Sequence, residues 1–256
     1  SNGAQAYDGT MYALAAGYDS RDKKGDVWGA SLSYAAMSYS AGTSIQDNLT
    51  QSTVGQVYYS MNRNSLFWDT IGSLGWNSYD SERVVTAGAV VRTANANWTG
   101  YQAGVTSQVG FSGVFGPITV RPSIGASYLF LSQEGYSETG GGGAALSIDS
   151  STFSSLRANA QMRISGIFGK EPQLVPYVRG GFSQELMDGK PEANGHFNAS
   201  GATFALNGAE LDKSTPFFGA GLSFVGGYSR LSLEYTGQLG SKFTSHQGVA
   251  TASLMF

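Results

Sequence analysis

The chain has 256 residues, no cysteine, six prolines and only 13% charged residues. Without cysteine there are no disulfide scaffolds, no thiol catalysis and no cysteine-ligated zinc. Charge at this level is about half the usual share and speaks against an ordinary soluble α/β enzyme. No apolar run approaches the ~18 residues that a membrane-crossing helix needs. A net charge of -3 and a pI near 5.3 supply no global basic field for nucleic acid. Residues 1–10 lack the basic-then-apolar layout of a signal peptide, so a signal is expected upstream. No linker and no amphipathic helical stretch of useful length divides the chain, and a single domain over 1–256 is expected.

What is abundant is Gly 36, Tyr 14, Phe 14 and Trp 4, at a mean hydropathy of only -0.14. Such a chain has to mix apolar and polar residues at close range, as strands with two different faces do. The clearest segment carries Leu156, Ala158, Ala160, Met162, Ile164, Gly166 and Phe168 on one parity. Ser155, Arg157, Asn159, Gln161, Arg163 and Ser165 occupy the other. Ile118, Val120, Pro122, Ile124, Ala126, Tyr128 and Phe130 alternate likewise with Thr119, Arg121, Ser123, Gly125 and Ser127. Leu66, Trp68, Leu74 and Trp76 oppose Asp69 and Ser73, and Leu231, Leu233 and Tyr235 oppose Arg230, Ser232 and Glu234. Weaker alternation runs through 12–18, 28–36, 57–61, 101–111, 174–186, 218–224 and 250–256, for eleven strands in all.

Several segments alternate for 11 to 14 residues. Tilted membrane strands need about 9 to 11 residues, whereas soluble strands have about 5 or 6. Three features favour an antiparallel up-and-down transmembrane β-barrel over a soluble one. The polar parity carries Arg121, Arg157, Arg163, Arg179 and Arg230 beside Asp69, Glu185 and Glu234, which suits a hydrated interior. Trp28, Trp68, Trp76, Trp98, Tyr128 and Tyr136 lie near strand ends, as interfacial girdles do. Connections alternate between short (20–25, 62–64, 113–117, 169–173, 226–229) and long (39–51, 78–96, 132–152, 187–214, 238–247). The short side is expected to be periplasmic. Within 187–214, residues 196–207 read as a hairpin projecting above the membrane. Eleven strands leave a parity deficit, because bacterial single-chain barrels normally have an even number. One strand is expected upstream of Ser1, with an open edge between the strand at Tyr12 and the one ending at Phe256.

Gly17-Tyr18-Asp19, Arg83 and the run from Arg121-Pro122 to Tyr128 stand in this topology in order. They are followed by Gly135-Tyr136-Ser137-Glu138-Thr139-Gly140, Ser155-Leu156-Arg157, Val175-Pro176-Tyr177, Gly237-Gln238-Leu239-Gly240, Ser245-His246-Gln247-Gly248 and Phe256. The ordered set resembles the translocator domain of bacterial autotransporters, the C-terminal β-barrel of type V secretion, over residues 7–256. The resemblance implies a barrel of about twelve strands in the outer membrane of a Gram-negative cell. It also implies an α-helix threaded through the pore and a first strand, both expected upstream.

The implied partners are outer-membrane lipid, the chain's own N-terminal passenger and linker helix, and the barrel assembly machinery, with a monomeric barrel and no cofactor. Glu138, Arg157 and Arg163, with Arg121 and Arg179, are the candidates for lumen groups that contact the threaded helix or polypeptide. The plainer reading is that these charges satisfy one another. Ala250, Ala252, Leu254 and Phe256, with Gly248, resemble the terminal signal read by the assembly machinery and equally suit lipid-facing packing.

His196 and His246 fall in expected loops without a Gly-x-Ser-x-Gly elbow, so no catalytic residue is assigned. The four glycines at 140–143 lack a strand-to-helix context for a phosphate cradle and read as a flexible loop. The expected function is to anchor and export an N-terminal passenger, through or alongside a hydrophilic lumen. A passenger-less pore or adhesin-type barrel is the alternative, and an outer-membrane hydrolase a more distant one.

Overall fold

The computed structural model describes residues 7–41, 46–87, 89–187, 190–208, 212–241 and 243–254. In chain order the strands are Tyr7–Arg21 (β1), Val27–Ala41 (β2), Gln46–Arg63 (β3), Leu66–Ala87 (β4), Val90–Phe111 (β5), Gly113–Phe115 (β6), Ile118–Gln133 (β7) and Tyr136–Ser137 (β8). They continue as Leu146–Ile148 (β9), Ser151–Gly166 (β10), Gln173–Glu185 (β11), Glu192–Phe197 (β12), Thr203–Asn207 (β13), Ser214–Val225 (β14), Ser229–Leu239 (β15) and Thr244–Leu254 (β16). A single antiparallel sheet runs β1-β2-β3-β4-β5-β7-β10-β11-β14-β15-β16, with β6 paired to β7. It curls into an open half-barrel, and each of the eleven alternating segments lies on one of its long strands, with Phe168 and Leu186 just past the ends of theirs and 255–256 outside the described residues. Among the described residues β1 pairs only with β2 and β16 only with β15, so both outer edges are free.

Side-chain contacts that skip a strand identify the concave face, because only there do side chains converge. Gln161 of β10 donates to Gln108 of β5 across β7, and Tyr58 of β3 reaches Asp19 of β1 across β2. Gln102 of β5 reaches Ser52 of β3 across β4. The opposite parity carries Leu14, Leu32, Val57, Leu74, Val105, Ile124, Met162, Ile164 and Leu233, all exposed. Only Phe67, Ala94, Ala145 and Tyr177 are buried apolar residues among those described. A sheet with an apolar convex face and almost no apolar core is what lipid as the outer solvent requires.

Three expected long connections are strand over most of their described residues. β3 already begins at Gln46, β4 and β5 run on for 22 residues each, and β15 and β16 are separated only by 240–243. Asp80 pairs with Asn97, Glu82 with Asn95 and Asp47 with Glu82. Beyond the lipid both faces of a strand are wet, so the alternation fades while the hydrogen-bond ladder continues.

The other two long connections carry a small sheet in the order β13-β12-β9-β8. Within 187–214, β12 and β13 form a hairpin. His196 sits in β12 opposite Thr203, and His246 sits in β16 opposite Gly237, so neither is a loop residue. Residues 140–143 are a turn packed against β5. Gly140 has φ +84, and a Cβ there would lie 2.4 Å from the Thr93 carbonyl oxygen. Trp98 and Tyr136 also depart from the girdle reading. They stack on each other at 4.0 Å, and Trp98 shares the concave parity of Gln102 and Gln108. Its parity turns Trp98 inward rather than to lipid, and Tyr136 of β8 packs on it there.

Candidate functional site: the polar inner wall

Each long strand contributes every second side chain to the concave wall, which is mostly polar over β4, β5, β7 and β10 and carries small or apolar Ala13, Ala15, Ala35 and Met37 on β1 and β2. Ser60, Asp69, Gln108 and Gln161 form one continuous network, with Ser60 donating to Asp69 at 2.6 Å and Gln108 donating to its second oxygen at 3.0 Å.

The five expected lumen residues fall in three places. Glu138 lies beside β8 and pairs with Arg83, Oε2 accepting from Nη2 at 2.6 Å and from the Leu146 N–H at 2.8 Å. It therefore locks the 134–150 segment to β4, far from the other four along the strands. Arg157 meets Glu185, whose carboxylate accepts from Arg157 Nε at 3.0 Å, Ser155 Oγ at 2.7 Å and the Leu156 N–H at 3.0 Å. Arg121, Arg163 and Arg179 are brought together, since Arg163 of β10 lies opposite Arg121 of β7 on one side and Arg179 of β11 on the other.

That row sits near the short connections, and the wall is shaped to hold it. Arg121 lies over the Phe67 ring at 3.9 Å and Arg163 over the Tyr177 ring at 3.7 Å. Arg179 donates to Glu234 at 2.8 Å and to Thr236 at 2.9 Å, crossing β14 to do so. The crossing needs Gly219, where a Cβ would lie 2.9 Å from Arg179 Nε. Gly221 serves Tyr177 in the same way, since a Cβ would lie 2.3 Å from its ring. Sequence reading missed the roles of Phe67, Tyr177, Gly219 and Gly221, because no periodicity marks a ring lying flat across a neighbouring strand.

At the short-connection side, Asp26 is buried between β1 and β2 and is held by the Arg63 guanidinium and the Tyr59 hydroxyl. The hydrogen bond from Arg63 keeps the Asp26 carboxyl below the usual carboxylate range against the desolvation that raises it. A lowered carboxyl contributes stability that is complete above about pH 4 and is lost as pH falls through its folded-state value. Asp26→Asn is expected to lower the urea midpoint at pH 7 and to flatten its fall between about pH 5 and pH 2. An unchanged acid profile would remove Asp26 as its source.

On the convex face, Ala250 and Ala252 of β16 are exposed, and Leu254 ends the strand opposite Ser229; Phe256 lies outside the described residues. Tyr235 engages His246 Nδ1 at 2.6 Å on the same face.

The translocator domain of NalP from Neisseria meningitidis is similar to this chain at TM-score 0.74 and 15% identity, over 98% of this chain and 82% of that one. The β-domain of the Bordetella autotransporter BrkA is similar at TM-score 0.64 and 17% identity, over 98% and 93%. The transport unit of AIDA-I from Escherichia coli is similar at TM-score 0.54 and 12% identity, over 98% and 83%. These likenesses bear on the fold. Comparison with curated proteins finds no match. The sequence model of the autotransporter β-domain matches residues 1–238, through all but the last strand, and the chain belongs to that family.

Proposed function

We propose that the concave wall is the surface past which an N-terminal passenger moves on its way to the cell exterior, while the convex face anchors the chain in lipid. Autotransporter β-domains are outer-membrane translocators of passenger domains, and that is this chain's function. The observation that carries the finer reading is the polar network bonded across intervening strands, Gln161 to Gln108 and Arg179 to Glu234. A wall of this kind keeps water in the path and offers hydrogen bonds to a polypeptide, which an apolar wall does not. The role is transport and anchoring rather than turnover, and it needs no cofactor. In this reading the short connections face the periplasm, the barrel arrives there behind an upstream signal peptide, and β16 is the strand engaged by the assembly machinery. The β12–β13 hairpin then stands outside the cell.

The free edges support a further part of the proposal. With eleven strands running alternately up and down, β1 and β16 point the same way, and their direct union would be a parallel pair. One additional strand, supplied from outside residues 7–254, would be antiparallel to both and would satisfy backbone groups that lipid leaves unbonded at several kcal/mol each.

The test is surface proteolysis of cells carrying the full-length protein. A shaved passenger with the barrel retained is expected. A correctly inserted barrel whose passenger stays protected inside the cell would overturn the reading. Extending the chain upstream through the additional strand is expected to convert it to a form that resists unfolding on unboiled gels. Equal resistance with and without the extension would remove that strand from the closure.

A further inference from the structure

The row Arg121–Arg163–Arg179 is unusual for the face it occupies. Residues directly opposite on neighbouring strands have Cβ atoms about 4.5–5.5 Å apart, and like charges so placed repel. Glu234 is bonded to Arg179, whereas Arg121 and Arg163 form no ion pair among the described residues. Asp69, the next carboxylate on this face, is occupied by Ser60 and Gln108. The Nε atoms of Arg121 and Arg179 are buried without a hydrogen-bond partner. Burying a donor without an acceptor costs free energy, and three guanidiniums against one carboxylate leave an uncompensated positive field in the lumen.

Aromatic rings below two of the three cations hold them in place rather than neutralise them. Phe67 and Tyr177 cover one face of Arg121 and Arg163, so the planar forks are fixed in a geometry that suits carboxylates bidentately. The row lies three residues from the end of each of two strands, Arg121 after Ile118 and Arg163 before Gly166. It is therefore at the short-connection end of the wall, the entrance in the direction of export.

We propose that this row is a binding site for the carboxylates of an acidic polypeptide segment, engaged as the segment enters the lumen from the periplasmic end. The inference rests on the reading of the lumen as a polypeptide path, and it adds the chemistry that the path selects. An acidic segment supplies the missing acceptors, whereas a basic segment meets the same field as a barrier. The row then acts as a filter that favours one sign of charge at the point of entry.

The experiment uses the full-length protein in cells, with a photo-crosslinking residue in place of Thr119, which faces the concave side next to the row. A short segment rich in glutamate, or its glutamine counterpart, is inserted between passenger and barrel, and export is stalled with that segment at the entrance. The glutamate version is expected to crosslink about tenfold more than the glutamine version, the order set by a charge-assisted contact. Arg163→Gln should abolish the difference and Arg163→Lys should restore most of it, with unchanged gel mobility of the unboiled barrel. Equal crosslinking of the two versions, with the passenger still exported, overturns the site and leaves the lumen path standing. Crosslinking of neither version, with the passenger still reaching the surface, overturns the path and the site with it.

Discussion

Val105→Arg should prevent the chain from inserting into lipid vesicles. Val105 is exposed on the convex face, in a row with Gly72 of β4 and Tyr128 of β7. An arginine at mid-depth on the lipid side of a barrel costs about 2–4 kcal/mol, a large fraction of the stability of an ordinary domain. The neighbouring Thr106→Arg carries the same charge to the other side, where Thr106 hydroxyl donates to Ser127 Oγ at 3.0 Å on the wet wall. It should insert almost as the parent does. The folded fraction after dilution from urea into vesicles, read by the gel shift of unboiled samples, checks both. The reverse ranking would mean that the two faces have been exchanged.

Glu185→Ala should be the most damaging single change on the inner wall. The Glu185 carboxylate is buried and accepts from Ser155, the Leu156 N–H, Arg157 and the Met187 N–H. Removing it strands a cation and two backbone donors at once, for a loss of about 3 kcal/mol. Arg157→Ala leaves the carboxylate three of its four donors and should cost about 1 kcal/mol. Urea midpoints measured in the same detergent give the comparison. Equal shifts would mean that the ion pair alone matters and that the bonds from Ser155 and the backbone contribute nothing.

The barrel strands were legible because lipid on one side and water on the other impose strict alternation, as over Leu156 to Phe168. That signal ends where the lipid ends. Asp80, Glu82 and Asn95 read as loop, yet they continue β4 and β5, since hydrogen-bond ladders need no difference between the two faces. Parity assigned Arg121, Arg163 and Arg179 to one face, but their adjacency depends on register, which the turns set and the sequence does not display. Arg83 and Glu138 are 55 positions apart and meet only because β8 runs on beside the upper part of β5. The run at 140–143 reads as a flexible loop by composition, whereas its glycines allow close approach of two backbones.

The strands differ in height: β4 and β5 have 22 residues each, and β15 and β16 have 11 each. At about 3.3 Å per residue and a tilt near 40°, the difference amounts to roughly 25–30 Å, close to the depth of the hydrocarbon layer itself. The rim is therefore cut obliquely, like the nib of a quill. A chain emerging over it would be shielded along one flank while the other lies open to solvent. In the proposed orientation, with the long connections outside the cell, proteases approaching the surface would meet a tall parapet on the β4–β5 side and a low sill on the β15–β16 side.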